Sequence, residues 1–369
     1  MRRLLLLLTL CLLFVGCHRR ELSYSYLPSV EVVVRTDWSC LSEAPYGMSV
    51  YCYPDTGESP TITQTNNIDS VVLSLPVGSY KLLVFNESVS TFTSIAFSGM
   101  DNYETAEVYA VATESKWYVS KSDESLVSDP AELAAATYHD LVVTQEEVDE
   151  VLGLRDKGLY DAAPAYKYVD LTTEMIVKRT KVRVYVDGIH NLLSTRASIY
   201  GMATGYHFAN QQSHENYATH LLESWNTEIY DDATQGEVWV IFNCFGLPET
   251  STYTRFDMAS WGGMLYLDAL LVDNSTIESF EFELADRTVA EGEEDQTSKN
   301  DDSDVDTDVD VDVDVDVDVD INIHIGFSLD DGDEGITLPD VEPEDGSGSS
   351  GFDATVEDWG DEEILTLPM

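Results

Sequence analysis

The chain has 369 residues, of which 69 are acidic and 19 basic, giving a formal net charge of -50 at pH 7. From residue 291 onward 29 residues are acidic and only Lys299 is basic, which leaves 40 acidic and 18 basic residues before that point. A protein with this much negative charge repels nucleic acid, and the sequence has no basic patch that would offset the repulsion. Nucleic acid is therefore excluded as a partner. The 20 tyrosines are mostly interleaved with Val, Thr and Ile, a composition typical of β-structure.

The N-terminal segment predicts a lipoprotein signal peptide. Arg2 and Arg3 precede an apolar run at 4–16, which ends in Gly16 followed by Cys17. The run is shorter than the roughly 20 residues of a spanning helix, but a charged start followed by an apolar run is typical of a secretory signal. Gly16 before Cys17 resembles a lipobox. We therefore expect cleavage between these residues and lipid on Cys17, which would anchor the protein to a membrane.

Three cysteines remain after removal of the signal and use of Cys17: Cys40, Cys52 and Cys244. Cys40 and Cys52 could form a disulfide in an oxidising compartment. The cysteines have no regular spacing, however, which favours free thiols that pack as small hydrophobic side chains.

Short strand patterns follow one another through the first half of the mature chain. We expect strands at 30–34, 48–53, 71–75, 80–85, 92–97 and 107–112. The turn residues Pro76-Val77-Gly78 predict that the third and fourth of these strands form a hairpin. Further along, residues 132–136 and 145–152 are expected to form short helical turns. A connector rich in Gly, Ala and Asp at 156–165 indicates a domain boundary.

The second half repeats this pattern. We expect strands at 181–186, 197–202, 237–244, 264–271, 279–284, 321–327 and 352–356, with a turn at Asp187-Gly188. Many short strands with regular turn signals and few long helices indicate an all-β protein built from β-sandwiches.

An unusual acidic repeat occupies residues 304–320. Every even-numbered position is Asp, and the odd positions are Val apart from Thr307. In a strand, same-face Asp residues would lie about 6.8 Å apart. That spacing is within the Debye length of about 8 Å, so their charges would repel one another. A calcium-dependent strand is one interpretation, but the spacing of an EF-hand loop is missing. A solvated low-complexity loop is therefore favoured.

The sequence contains no recognisable catalytic motif. His214-Glu215 begins like a zinc-protease helix motif, but Ala218 stands where the second histidine ligand is required. His207, His214 and His220 are spaced seven and six residues apart, and we interpret them as loop and surface residues, so no metal site is expected. A nucleophile elbow and a phosphate-binding glycine loop are also missing. We therefore expect no enzyme activity and no cofactor.

The tryptophans allow two interpretations. They could act as platforms for sugars, but a sandwich core uses the same rings. Trp38 and Trp239 lie within strand patterns and are interpreted as packing residues. A pair of glycosidase carboxylates is defined by its separation in space, which the sequence does not give.

Several segments in order resemble the fimbrillin-associated anchor proteins, a group of fimbrillin-like lipoproteins with domain-of-unknown-function relatives. Residues 75–86 (LPVGSYKLLVFN) resemble a hairpin of that family, and 183–192 followed by 198–202 resemble the start of its second domain. Residues 243–248 (NCFGLP) resemble a strand end, and 352–369 resemble the closing segment.

The resemblance implies an all-β fold of two tandem transthyretin-like β-sandwich domains behind a lipidated cysteine. On this basis residues 1–16 are the signal peptide and 17–26 a lipidated linker. An N-terminal sandwich is expected at 27–165. A C-terminal sandwich is expected at 166–369, with an acidic insertion at 289–320.

The resemblance also implies a function. We expect an outer-membrane lipoprotein, exposed at the cell surface, that acts as a non-enzymatic anchor, cap or accessory subunit of a fimbria-like polymer or adhesin. Its expected partners are the membrane, through the lipid on Cys17, and fimbrial subunits, through strand addition. The alternative is a cell-envelope lipoprotein that binds glycans or calcium.

Overall fold

β-strands dominate the residues that the computed structural model describes, which are 28–119, 124–157, 167–231, 233–248, 262–285, 288–290, 319–327 and 335–343. The first half contains the helix α1 (Gln145–Asp156) and nine strands: β1 (Val30–Asp37), β2 (Met48–Pro54), β3 (Thr61–Thr65), β4 (Ser70–Leu75), β5 (Gly78–Asn86), β6 (Ile95–Ser98), β7 (Glu107–Ala110), β8 (Ser125–Leu126) and β9 (Ala134–Val143). The predicted all-β class is confirmed.

The second half adds fourteen strands: β10 (Lys167–Thr172), β11 (Glu174–Met175), β12 (Lys178–Asp187), β13 (Leu192–Ala203), β14 (Gly205–His207), β15 (Gln212–Ser213), β16 (Tyr217–Leu222), β17 (Asn226–Ile229), β18 (Gln235–Cys244), β19 (Met264–Leu271), β20 (Ile277–Glu283), β21 (Thr288–Ala290), β22 (Ile321–Ile325) and β23 (Ile336–Thr337). The predicted strand at 352–356 lies outside the described residues.

The described strands assemble into five sheets. Across each sheet the orders are β10-β1-β4, β11-β9-β5-β2-β3, β15-β14-β7-β6, β20-β19-β13-β16-β8 and β17-β18-β12-β22-β21, with β23 also paired to β12.

The described residues divide into two compact units. The smaller unit comprises the described residues up to 33 together with residues 72–78, 142–157 and 167–168. The larger unit comprises all the other described residues. None of the described helices has the length and apolar character needed to cross a membrane.

Helix α1, in the smaller unit, begins at a reciprocal capping box. The Glu147 N–H donates to Thr144 Oγ1 over 3.3 Å, and the Thr144 N–H donates to Glu147 Oε2 over 2.7 Å. The pair satisfies backbone donors that the start of a helix leaves without intrahelical partners. Lys167 Nζ lies 2.9 Å from the other oxygen of the same carboxylate. The helical turn predicted at 145–152 is confirmed and extends to Asp156.

One hydrophobic core of the larger unit is filled from the two sheets that contain β12 and β13. Along β12 the buried side chains Val182, Val184 and Val186 alternate with more exposed ones, as expected for a strand with one face in a core. Strands β18 and β22 add further buried side chains from the same sheet, and β13 and β19 add buried side chains such as Ile199 and Leu267 from the other. This core is a β-sandwich.

A second core of the larger unit is rich in aromatic rings. Phe85 of β5 stacks on Phe97 of β6 with ring centroids 5.0 Å apart, and it lies 6.4 Å from the ring of Phe208. Tyr51 of β2 also stacks on Phe85, with ring centroids 5.6 Å apart. Such large rings supply most of the buried apolar area in a core of this size.

Some sheet pairings join strands from both sides of residue 165. Strand β7 pairs with β14, and β8 pairs with β16 in parallel. The division into sandwiches at 27–165 and 166–369 remains a prediction.

The predicted hairpin around Pro76-Val77-Gly78 is wrong, although both of its strands exist. Strand β4 lies beside β1, whereas β5 lies between β9 and β2 in another sheet. The reason is the burial of β5: residues 82–85 are all 0% exposed. A strand covered on both faces and paired on both edges has no position left for β4.

The helical turn predicted at 132–136 is also wrong, since Ala134 begins the long strand β9. Tertiary contacts override the helix propensity of the alanines. Asn86 Oδ1 accepts from the Ala134 N–H at 2.9 Å, and Asn86 Nδ2 donates to the Glu132 carbonyl at 3.2 Å. In addition, Ala135 pairs with Glu174 of β11.

A buried ion pair lies on the face of β12 opposite the valines. Arg183 Nη2 lies 2.6 Å from Glu237 Oε2, and Arg183 Nε lies 3.2 Å from Glu237 Oε1. The two side chains are 14% and 5% exposed. Tyr230 OH also donates to Glu237 Oε2, at 3.2 Å. The guanidinium stacks over the Phe327 ring at 4.7 Å.

Replacing Glu237 by Gln should destabilise the fold by about 3–5 kcal/mol, because the buried guanidinium of Arg183 would lose its counter-charge. The free energy of unfolding in urea measures this loss. Asp170→Asn is the matched control, since Asp170 makes the same two-pronged contact with Arg35 but the side chains are 71% and 52% exposed. That control should cost about 1 kcal/mol or less. Equal losses of unfolding free energy in Glu237→Gln and Asp170→Asn would contradict the claim that burial makes the Arg183–Glu237 pair costly to break.

The turn between β19 and β20 is organised by Asp273. Its Oδ1 accepts from the Thr276 N–H at 2.9 Å, and its Oδ2 accepts from Thr276 Oγ1 at 2.6 Å and Ser275 Oγ at 3.1 Å. Asn274 adopts a left-handed φ of 55° between them. Because these hydrogen bonds favour the ionised carboxylate, led by those from Thr276, they lower the pKa of Asp273 to about 2.

This lowered pKa predicts a pH-dependent contribution to stability. The contribution should be complete above the ordinary Asp pKa of 3.8 and lost as the pH falls through about 2. The difference in unfolding free energy between the unmodified chain and Asp273→Asn should therefore shrink between pH 6 and pH 2. Asp55→Asn, at another exposed turn, is the control. A difference for Asp273→Asn that does not change with pH would rule out this linkage.

Candidate functional site

Two histidines and a glutamate meet where β7 pairs with β14. His207, the last residue of β14, lies directly opposite Glu107, the first residue of β7. The chain then turns back through β15, which pairs with β14, and places His214 just after it. The His214 N–H donates to the Gly205 carbonyl at 2.8 Å, which fixes the backbone at this point. Glu107, His207 and His214 are called the His–Glu cluster below.

The side chains of the His–Glu cluster are close enough to share one bound ion. His207 Nδ1 and His214 Nε2 each lie 3.4 Å from Glu107 Oε2. The two imidazole rings have centroids 4.4 Å apart at an interplanar angle of 42°. Their side-chain exposures are 41% for His207, 28% for Glu107 and 12% for His214.

His214 is the most constrained member of the cluster. Its Nδ1 lies 3.2 Å from Thr204 Oγ1. Its Nε2 is buried and has no hydrogen-bond partner in the described part of the chain, although it lies 3.4 Å from Glu107 Oε2. Burial and the neighbouring His207 lower the pKa of His214, while Glu107 opposes this effect. The neutral imidazole is therefore favoured.

The structure corrects the sequence-based interpretation of the three histidines as loop and surface residues. It brings His207 and His214 together, and His214 is mostly buried. His220 is separate: it lies within β16, is 1% exposed, contacts Asp129 Oδ1 at 3.3 Å and packs against Phe242. The sequence reasoning missed Glu107, and no local spacing could have revealed it. Glu107 reaches the cluster only through the pairing of β7 with β14, one hundred residues further along the chain.

A second candidate site is the outer edge of β3, the last strand of its sheet among the described residues. Its residues, TITQT, carry no charge, and Ile62 is 51% exposed. Ile62 lies opposite Tyr51 of β2, so the two side chains share a sheet face. Tyr51 belongs to the aromatic core, and Ile62 extends that apolar face to the edge of the sheet.

A cleft of about 240 Å³ is lined by residues that include Ala135, Tyr138, Asp170, Tyr206 and Gln211. Its volume is below the range of roughly 300–1,000 Å³ that is typical of small-molecule sites. The cleft therefore offers little room for a substrate.

The other residues singled out in the sequence have structural positions. Trp38 is 9% exposed, and its Nε1 donates to the Ile68 carbonyl at 2.9 Å. Trp239 lies in β18, with Lys181 Nζ 5.0 Å above its ring. Trp38 packs as predicted, whereas Trp239 is half-buried and lies on the face of β18 opposite the core residues Val238 and Val240. The three cysteines are free thiols in the structure, and burial raises the pKa of Cys52 to about 12 and that of Cys244 to about 11.

Two further predicted features lie outside the described residues: the signal with Gly16 and Cys17, and the Asp-Val repeat up to residue 318. The repeat's last two residues are described. Val319 is buried, and Asp320 accepts from the Arg179 N–H at 2.8 Å and contacts Lys178 Nζ at 3.2 Å.

The fold is that of an all-β protein with a β-sandwich core. It resembles the structure of a candidate adhesin from Bacteroides ovatus, with a TM-score of 0.52 and 19% identity, over 73% of this chain and 88% of that one. The fimbrial anchor protein Mfa2 of Porphyromonas gingivalis aligns with a TM-score of 0.39 and 12% identity, over 70% of this chain and 83% of that one.

Residues 16–223 match the family described as Domain of unknown function (DUF5119), and the chain belongs to that family. Over 203 residues it is also 26% identical to a Bacteroides ovatus protein named as a candidate fimbrium anchoring subunit, Fim4B. The alignment covers 55% of this chain and 54% of the relative, so the chain spans about half the length of that curated relative. The predicted resemblance to anchor proteins and their domain-of-unknown-function relatives is confirmed.

Proposed function

We propose that this protein is a non-enzymatic accessory subunit of a fimbria-like surface polymer, acting as an anchor or cap at the outer membrane. The observation that carries the proposal is the 203-residue match to a candidate fimbrium anchoring subunit. The β-sandwich fold shared with a candidate adhesin supports it. Lipid on Cys17 would attach the chain to the membrane, since several acyl chains together give stable anchoring.

Strand addition at β3 is the proposed mechanism of partner binding. An extended segment of a fimbrial subunit would pair with the free edge of β3 through main-chain hydrogen bonds, and its side chains would contact the apolar face around Ile62. Proteins usually protect sheet edges with charges, proline, bulges or very short strands, because an open edge recruits other chains. β3 has five uncharged residues and therefore lacks the first of these protections.

Several of the other described edge strands are better protected. β20 carries Glu278, Glu281 and Glu283 along its seven residues. β17 has four residues, including Glu228. β8, β11 and β15 have two residues each. Among the described edges of five or more residues, β3 and β4 (SVVLSL) carry no charge. We propose β3 because Ile62, opposite Tyr51, extends the apolar face of the aromatic core to this edge.

Ile62→Lys should abolish partner binding without destabilising the fold, because Ile62 is half exposed and the new charge blocks the edge. The measurement is recovery of fimbrial subunits with the tagged chain from solubilised cells, alongside the unfolding midpoint of each variant. Ile277→Lys, at a 47% exposed isoleucine on β20, is the matched control and should retain the partner. Undiminished recovery with Ile62→Lys would rule out β3 as the binding edge.

Cys17→Ser should release the chain from the membrane fraction while it is still exported. Protease treatment of intact cells then reports which side of the membrane the sandwich faces. Digestion on intact cells supports a surface role. Protection until lysis, or membrane attachment that survives Cys17→Ser, would contradict the proposed surface-anchored subunit.

A further inference from the structure

The His–Glu cluster has the donor set of a transition-metal site. Two imidazole nitrogens and one carboxylate oxygen are the ligands that zinc takes in many three-ligand protein sites. Calcium and magnesium prefer sites made of oxygen atoms alone. One ligand atom from each of the three residues lies within 4.8 Å of the other two.

The two distances between the histidine nitrogens and the carboxylate oxygen fit a single ion. Zinc binds histidine nitrogen at about 2.0–2.1 Å and carboxylate oxygen at about 2.0–2.2 Å, so two ligand atoms at the tetrahedral angle lie about 3.4 Å apart. This is the separation between Glu107 Oε2 and each of the two histidine nitrogens. It is longer than an ordinary charge-assisted hydrogen bond of roughly 2.7–2.9 Å.

The surroundings of His214 orient its ring for metal binding. If Nδ1 donates its proton to Thr204 Oγ1, the lone pair of Nε2 faces the cluster. A hydrogen bond to the non-ligating nitrogen is the usual support of a metal-binding histidine. Nε2 itself is buried without a hydrogen-bond partner among the described residues, which leaves it available as a ligand.

Gly205 makes room for this ring. A Cβ at position 205 would lie 2.7 Å from His214 Cε1 and 2.9 Å from His214 Nδ1. Only glycine therefore allows the imidazole to lie against the backbone of β14 in this position.

We propose that Glu107, His207 and His214 bind one zinc-class divalent ion, with the fourth coordination position open to water or to a ligand from a partner. The ion joins the start of β7 to the β14–β15 hairpin and stabilises the sheet they share. This inference is independent of the proposed fimbrial function, because it concerns the ion alone.

Zinc titration of the full chain, purified in detergent and stripped with EDTA, tests the proposal. An excess of calcium occupies the many exposed carboxylates, so that the titration reports sites with nitrogen ligands. We expect about one zinc per chain and a raised unfolding temperature. Cobalt(II) in place of zinc should give the strong visible absorption of a four-coordinate site.

His214→Gln and His207→Asn should each weaken zinc binding roughly tenfold or more and remove most of the rise in unfolding temperature. His190→Asn is the matched control, since His190 also lies beside a carboxylate, 3.5 Å from Asp340, but outside the cluster. It should bind zinc like the unmodified chain. Unfolding midpoints in EDTA show whether each variant still folds.

Unchanged zinc affinity in His214→Gln would overturn the proposal, as would cobalt absorption no stronger than that of the hydrated ion. Either result would mean that the cluster holds only imidazole–carboxylate contacts. Loss of binding in both cluster variants, with the control unaffected, would establish the site.

Discussion

The register of β12 is the constraint on which the C-terminal part of the fold depends. This strand pairs with β18 on one side and with β22 and β23 on the other. Its valines fill the sandwich core, while Arg183 lies on the opposite face against Glu237. Because side chains alternate with a period of two, a slip of one residue would place Arg183 in the core and the valines outside. The ion pair and the core therefore specify the same register.

The same alternation explains how much of the fold could be predicted from the sequence. Strands at 181–186, 237–244 and 264–271 were predicted within β12, β18 and β19, because their apolar side chains follow a strand period or form a buried run. Pairing partners could not be predicted in this way. The turn residues after Leu75 predicted a local hairpin, but β5 is buried on both faces and pairs with distant strands. Likewise, the alanines at the start of β9 favour a helix by their propensity. In the folded chain, however, Ala134 lies in a strand and its N–H donates to Asn86 Oδ1.

The candidate sites were even less predictable from the sequence than the strand pairings, because their residues meet only in the assembled sheets. Ala218 in place of the second histidine excluded a helical zinc motif at His214. The spacing of His207 and His214 did not indicate that a tight β14–β15 return would bring the two rings together. Glu107 joins them through a pairing between strands one hundred residues apart. The open edge of β3 is likewise a property of the assembled sheet. No strand at 61–65 was predicted from the sequence. The residues of β3 are uncharged and mostly β-branched, and the order of the strands decides that its outer side is an edge.

The His–Glu cluster and the edge of β3 lie on different sheets that contribute to one aromatic core. Val108, next to Glu107, and Phe208, next to His207, both belong to that core, and so does Tyr51, which lies opposite Ile62. An ion that fixes β7 against β14 would hold Val108 and Phe208 in place, and through the packed rings it would favour a well-ordered β2–β3 pair. Interiors packed at this density transmit such constraints, because a ring cannot shift without displacing its neighbours.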